Sequence, residues 1–192
     1  MPESTVRKTE KKKYTKGIAF KSISVIVLLM VVFAVLLGFV GYNKFYNLIM
    51  DQYADDAILT ANTAANIVDG EDLYRYNLSG GDTGEYRRTY NELQRLCNST
   101  DSTFIYVIQP DTTDYAHITF VFSIMNYNAK YTVYDFGYYR ETTNEEYREK
   151  YRSLYEQRTF SEIVVRNEGY IETDSHITAM VPLRGSDNKV KG

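Results

Sequence analysis

The chain has 192 residues, with 22 Lys and Arg against 25 Asp and Glu and a formal net charge of −3. That balance lacks the basic surface that nucleic-acid binding needs. A single cysteine, Cys97, excludes an internal disulfide and leaves no zinc pattern.

The average charge hides a split. Residues 1–21 carry Arg7, Lys8, Lys11, Lys12, Lys13, Lys16 and Lys21 against Glu3 and Glu10, a net +5, which leaves −8 for the remainder. Residues 1–16 are polar with almost no apolar content, so they are expected to be disordered. Ser22–Tyr42 follows as SISVIVLLMVVFAVLLGFVGY, with no charge between Ile23 and Val40. At about 1.5 Å per residue such a helix matches a bilayer's hydrocarbon core. A soluble core helix is rarely apolar on every face for this long. A cleaved signal is the alternative. Cleavage after Gly38 or Gly41 would put Leu36 or Phe39 at the third position back, and both are too large. The division is therefore a cytoplasmic basic tail over 1–21, a transmembrane helix over 22–42 and an extracytoplasmic domain over 43–192. Basic flanks stay in the cytoplasm, which fixes that orientation.

From Asn43 to Asp69 there is no proline or glycine. Phe45, Ile49, Tyr53, Ala57, Ala61, Ala65 and Val68 recur at steps of about four, so the helix is expected to continue to a terminator at Gly70. Leu78–Gly84 (LSGGDTG) reads as a loop. A helix is expected over Glu85–Asn98, with Tyr86, Tyr90, Leu93, Leu96 and Cys97 on one face. Thr103–Pro110 and His117–Met125 are rich in β-branched and aromatic residues and read as neighbouring antiparallel strands. In the second, strict alternation puts Ile118, Phe120 and Phe122 on one face and Thr119, Val121 and Ser123 on the other. Asn126–Glu141 reads as either a short strand or an ordered loop, with a turn at Gly137. Thr143-Asn144-Glu145-Glu146 has the capping-box pattern, and Tyr147, Tyr151, Leu154 and Tyr155 follow at helical spacing. A strand near Ser161–Arg166, a turn at Asn167-Glu168-Gly169, a strand within Tyr170–Arg184 and a hairpin turn at Gly185–Asn188 complete the order. The return strand after that turn is short, which suggests a longer parent chain.

Chemistry-bearing motifs are scarce. His117 and His176 lack a partner at metal-ligand spacing. There is no GxSxG, P-loop or GxGxxG. Asp135-Phe136-Gly137 spells a kinase metal motif without its companions. Asp55-Asp56 and Glu145-Glu146 fit solvated helix faces. Neither a catalytic residue nor a cofactor is indicated. Tyrosine is the excess, at 19 residues. Packing at the core margin is the ordinary use of any one of them, but a cluster around strands and a loop also makes a small-molecule pocket. The candidate lining is Tyr106, Phe120, Phe122, Tyr138, Arg140, Tyr151 and Met180, with Arg140 facing a carboxylate because guanidinium binds carboxylates with two prongs.

Three stretches carry a family resemblance: TANTAANIVDGEDLYRY (Thr60–Tyr76), TYNELQRLCNSTDSTFIYVIQP (Thr89–Pro110) and ITAMVPLRGSDNKVKG (Ile177–Gly192). They resemble the membrane-proximal helix, the helix leading into the first strand, and the closing hairpin of Cache domains, the PAS-like extracytoplasmic sensors of bacterial signalling proteins. The resemblance implies an α+β fold: one PAS-like antiparallel sheet flanked by the long N-terminal helix, leading to a second span and a cytoplasmic output module. It also implies a small ligand of the carboxylate or amino-acid class and a homodimer. Two other classes compete with a sensor. One is an interaction module with a dimer seam at Ala57, Ala61 and Ala65. The other is a tethered exported enzyme, disfavoured by the lack of a nucleophile–base or metal cluster.

Overall fold

The computed structural model describes residues 3–166 and 176–192, with side chains from Gly17 onward. It divides into two compact units, residues 1–50 and 51–192.

The first unit is a stretch of α1 (Glu3–Ile67). Every residue from Gly17 to Leu48 is exposed, including Leu28, Leu29, Met30 and Phe33. The helix is long and apolar enough to cross a membrane. Its start at Glu3 corrects the expected disorder over residues 3–16. Lys, Arg and Glu are strong helix formers, and extending an existing helix avoids the cost of nucleation.

The second unit begins with the last turns of α1, where Ala64 is buried, as is Val68 just past the helix end. Gly70 has ordinary negative φ and works by close approach. A Cβ there would lie 2.5 Å from the Arg184 carbonyl oxygen. Two helices follow, α2 (Asp72–Ser79) and α3 (Gly84–Ser99). The short α2 takes Leu78 and Ser79 from the expected loop, because Leu73 and Tyr76 give it a buried face. Thr83 caps α3 by accepting the Tyr86 N–H at 3.0 Å, and Leu93 and Cys97 are its fully buried residues.

Strands β1 (Phe104–Pro110), β2 (His117–Met125) and β3 (Tyr139–Glu141) form an antiparallel sheet in the order β1-β2-β3. Val107 pairs with Phe122 but Ile108 pairs with Phe120, which leaves Val121 as the extra residue of a β-bulge. This overturns the strict alternation expected of β2. Ile118, Phe120 and Ser123 share the face of Tyr106 and Ile108, whereas Phe122 and Ile124 share the face of Ile105 and Val107. The latter face packs against α2, α3 and the end of α1. The former meets Tyr134 and α4 (Glu145–Tyr155). The cap of α4 is Asn144, one residue later than the capping box implies; its Oδ1 accepts the Glu146 N–H at 2.8 Å.

A second antiparallel sheet pairs β4 (Glu162–Arg166) with β5 (His176–Met180). The architecture is therefore α+β with two small sheets in place of the single sheet expected. The turn expected at 167–169 lies outside the described residues. The final hairpin forms: the Asn188 N–H donates to the Gly185 carbonyl, and Arg184 bridges to Val190.

Candidate functional site

Turn geometry builds the site. Gly137 adopts φ 76°, which a residue with a side chain rarely adopts. The Tyr138 N–H donates to the Asp135 carbonyl at 3.1 Å, and the chain turns back along β2. The Gly137 N–H donates to the Phe120 carbonyl at 2.8 Å, and the Phe120 N–H to the Tyr138 carbonyl at 3.0 Å. Two residues on, Arg140 lies opposite Ile118. Tyr138 and Arg140 thus share the sheet face that carries Phe120.

Tyr134, just before the turn, lies on the same face. Its N–H donates to the buried Ser123 Oγ at 3.0 Å. Its ring stacks on Tyr138 at 4.9 Å and 10° and lies 4.5 Å from Phe120 at 35°. Arg140 Nη1 donates to the Tyr134 hydroxyl at 2.7 Å, with its Cζ 5.5 Å from the ring centroid. Tyr106 closes another side, 5.4 Å from Phe120 and 6.5 Å from Tyr134. Phe120 and Tyr138 also meet each other, with centroids 6.2 Å apart at 44°, so the result is a filled aromatic cluster with a guanidinium at its edge. No carboxylate among the described residues pairs with Arg140; neighbouring Glu141 turns to Arg148 at 3.8 Å.

Helix α4 covers the neighbouring part of this face. Tyr151 is buried in the cluster with Phe120 and Tyr115, and Met180 of β5 packs against it. Burial pushes the Tyr151 hydroxyl well above its ordinary range. Tyr147 adds to that, and Arg140 and Arg166 partly offset it. The Tyr147 hydroxyl lies 3.1 Å from Thr178 Oγ1, and Arg166 sits over the Tyr147 ring at 5.0 Å. Burial likewise raises the Tyr106 hydroxyl, with Tyr134 adding and Arg140 opposing.

The structure thus brings together Tyr106, Phe120, Tyr138 and Arg140, with Tyr151 and Met180 packed in the adjoining cluster. Phe122 is not in the site. The bulge turns it to the helical face, where it stacks on Tyr86 at 4.5 Å and meets Tyr76 edge-on at 5.7 Å. Tyr134 is the residue that sequence reasoning missed. The signal for it was Gly137, since a tight turn there brings positions 134 and 138 side by side.

Two depressions lie elsewhere. One of about 380 Å³ is lined by polar residues of the α3–β1 connection, such as Asn98, Thr100 and Ser102, with Asn126 and Asn128. The other, about 330 Å³, lies among Asn62, Ala65, Asn66, Phe160, Pro182 and Arg184. None of the seven candidate residues lines either one.

Compared with family models, curated proteins and solved structures, the chain matches none.

Proposed function

We propose that residues 43–192 form the extracytoplasmic sensing domain of a bacterial transmembrane signalling protein, PAS-like and of the Cache type. On this reading residues 22–42 span the membrane with the basic tail in the cytoplasm. A small carboxylate or amino acid binds at Arg140, and the domain acts as a sensor without catalysing a reaction. The observation that carries the reading is the aromatic cluster edged by a guanidinium that has no carboxylate partner among the described residues. Ligand state passes to α1 because the membrane-proximal end of the domain is built from that helix.

Titration calorimetry of the full chain in detergent micelles, against organic and amino acids, tests this. At least one binder is expected, weakened at least about tenfold by Arg140→Ala, the loss of a charge-assisted contact. If every binder met Arg140→Ala as tightly as the wild type, the assignment would fail.

A second reading is a homodimer or protein-interaction module along α1. Tyr53 and Leu59 are 57% and 66% exposed, which favours it, while Ala57 and Ala61 are only half-buried. Ala65 packs against the domain's own core, so the seam would be shorter than the alanine repeat suggests. Cross-linking through Ala57→Cys tests it: a membrane-embedded chain that stays monomeric under oxidation rules the seam out.

A further inference from the structure

We infer that the depression against the last turns of α1 is a binding site of its own, and that it takes the carboxyl end of a short peptide whose last side chain is apolar. None of its residues belongs to the cluster at Arg140, so it stands or falls apart from the role proposed for that residue.

Three segments distant in the chain make this depression. Asn62, Ala65 and Asn66 come from α1, Phe160 from the connection between α4 and β4, and Pro182 and Arg184 from the stretch after β5. All lie within the unit 51–192. At about 330 Å³ it is at the small end of ligand pockets, with room for the end of a peptide but not for a folded partner.

Phe160 dominates the apolar half. It is 83% exposed, more than any other large hydrophobic residue described, those of the membrane-spanning stretch included. A single exposed apolar side chain is ordinary on a protein surface. Here it shares one depression with Ala65 and Pro182, so an apolar side chain entering there covers all three.

Arg184 supplies the charge. Its Nη1 donates to the Asn188 carbonyl at 2.9 Å, which holds the guanidinium against the hairpin and leaves its other N–H groups unused. The nearby carboxylates are engaged elsewhere. Asp187 faces Lys191 at 3.3 Å and Lys189 at 3.9 Å, and Glu71 accepts from Ser186. No carboxylate among the described residues pairs with Arg184, and no acid lines the depression. A guanidinium in that setting selects a carboxylate.

Asn62 and Asn66 stand one helical turn apart on the same face of α1. The Asn62 Nδ2 donates to the Ile58 carbonyl at 3.0 Å, which leaves its Oδ1 to accept. The Asn66 side chain makes no hydrogen bond among the described residues. Between them the two amides can accept from one peptide N–H and donate to one peptide carbonyl. Cation, amide pair and apolar wall thus match the carboxylate, last peptide bond and last side chain of a peptide. A fatty acid would leave the asparagines unused. A free amino acid would bring an ammonium group beside Arg184 with no acid to receive it.

The chain has no tryptophan, so Phe160→Trp installs a sole indole at the rim. In the full chain in lipid nanodiscs, N-acetyl-alanyl-leucine is expected to shift its emission to the blue. The same dipeptide with an amidated carboxyl end is not. In calorimetry on the chain with Phe160 in place, Arg184→Gln should weaken binding of the dipeptide acid at least about tenfold. Phe160→Ala should weaken it about tenfold through lost apolar contact. Arg140→Ala should leave it unchanged. N-acetyl-glycyl-glycine, which lacks the apolar side chain, should bind at least about tenfold more weakly than the leucine peptide.

The site is ruled out if the amidated dipeptide binds as tightly as the acid, or if Phe160→Ala, folded by circular dichroism, binds the acid as tightly as wild type. It is also ruled out if the acid gives neither heat nor an emission shift at about 10 mM, well above a millimolar Kd. Loss of binding in Arg140→Ala with Arg184→Gln unaffected would move the dipeptide to the cluster at Arg140, which overturns this site and leaves the sensing role standing.

Discussion

Glu71 accepts two hydrogen bonds from Ser186 on one carboxylate oxygen, Oε1: from the backbone N–H at 3.0 Å and from the hydroxyl at 3.1 Å. Lys191 Nζ lies 3.9 Å from the same oxygen. Next to it, Gly70 presses on the Arg184 carbonyl. The junction between α1 and α2 is thus fastened to the final hairpin.

Gly70→Ala should loosen that junction. The new methyl would meet backbone atoms of Arg184 and Gly185, which cannot rotate aside. Overpacking of this kind costs about 1–3 kcal/mol. Urea denaturation of the alanine variant should show that loss, whereas Glu71→Gln, at an exposed pair, should cost less than about 1 kcal/mol.

Phe120 and Phe122 should separate function from stability. Phe122 is fully buried against Tyr76 and Tyr86. Phe122→Leu should lower stability while leaving affinity at Arg140 unchanged. Phe122→Ala should cost about 3–5 kcal/mol. Phe120→Leu removes one ring of the cluster beside Arg140, so calorimetry should show weakened binding of any ligand at Arg140. Equal effects of the two leucine variants on binding would contradict the placement of Phe122.

Glu162 ties β4 to α4. Its Oε1 accepts from Ser153 Oγ and Thr159 Oγ1, both at 2.9 Å, and its Oε2 meets Lys150 Nζ at 2.7 Å. Burial works to raise its pKa, but the hydrogen bonds from Lys150, Thr159 and Ser153 outweigh burial and hold it below the ordinary carboxylate value. A depressed folded-state pKa stabilises the fold above the unfolded pKa, and that contribution is lost as pH falls through the folded one. Glu162→Gln should cost about 1–3 kcal/mol at pH 7. In urea melts the gap from wild type should narrow steadily below about pH 4.3.

The alkaline limb is set by buried phenols and a thiol. Burial pushes Tyr86 from 10.0 to about 12, with Tyr90 and Tyr76 adding. Burial alone pushes the Cys97 thiol from 9.0 to about 11. Raised values mean that the fold favours the protonated forms, so their stabilisation is whole below the unfolded pKa and disappears as pH rises through the folded one. The urea midpoint should therefore fall between about pH 9 and 12, and part of the tyrosinate absorbance should appear only with unfolding. At pH 8 Cys97 should resist thiol reagents until urea opens the domain. Rapid native-state labelling would contradict its burial.

Much of the fold was legible because it is local. The 3.6-residue recurrence of Tyr86, Tyr90, Leu93 and Cys97 marked α3, and the β-branched runs marked β1 and β2. Tyr151, Met180 and Arg140 could be grouped by residue type alone. Phe122 could not be placed, because its side of the sheet depends on how β1 pairs with β2 and not on β2 itself. The separate α2 was hidden by the glycines that follow it. Tyr134 was hidden in a stretch without periodicity, where only the turn at Gly137 determines what it meets. The split into two sheets depends on pairings between distant segments, which no local pattern records.

The bulge at Val121 has a consequence for insertions and deletions. Before it, even-numbered positions of β2 face the aromatic cluster; after it, odd-numbered positions do. The strand runs in two opposite phases, joined at one residue. Deleting Val121 would remove that extra residue and leave regular alternation: Phe122 would follow Phe120 directly and still face Val107, and Ser123 would still face Tyr106. Every other residue of β2 would keep its side, and the loss would be that of one fully buried valine from the helical core. Val121 is thus the position in β2 where the chain can lose a residue without exchanging the two sides of the domain.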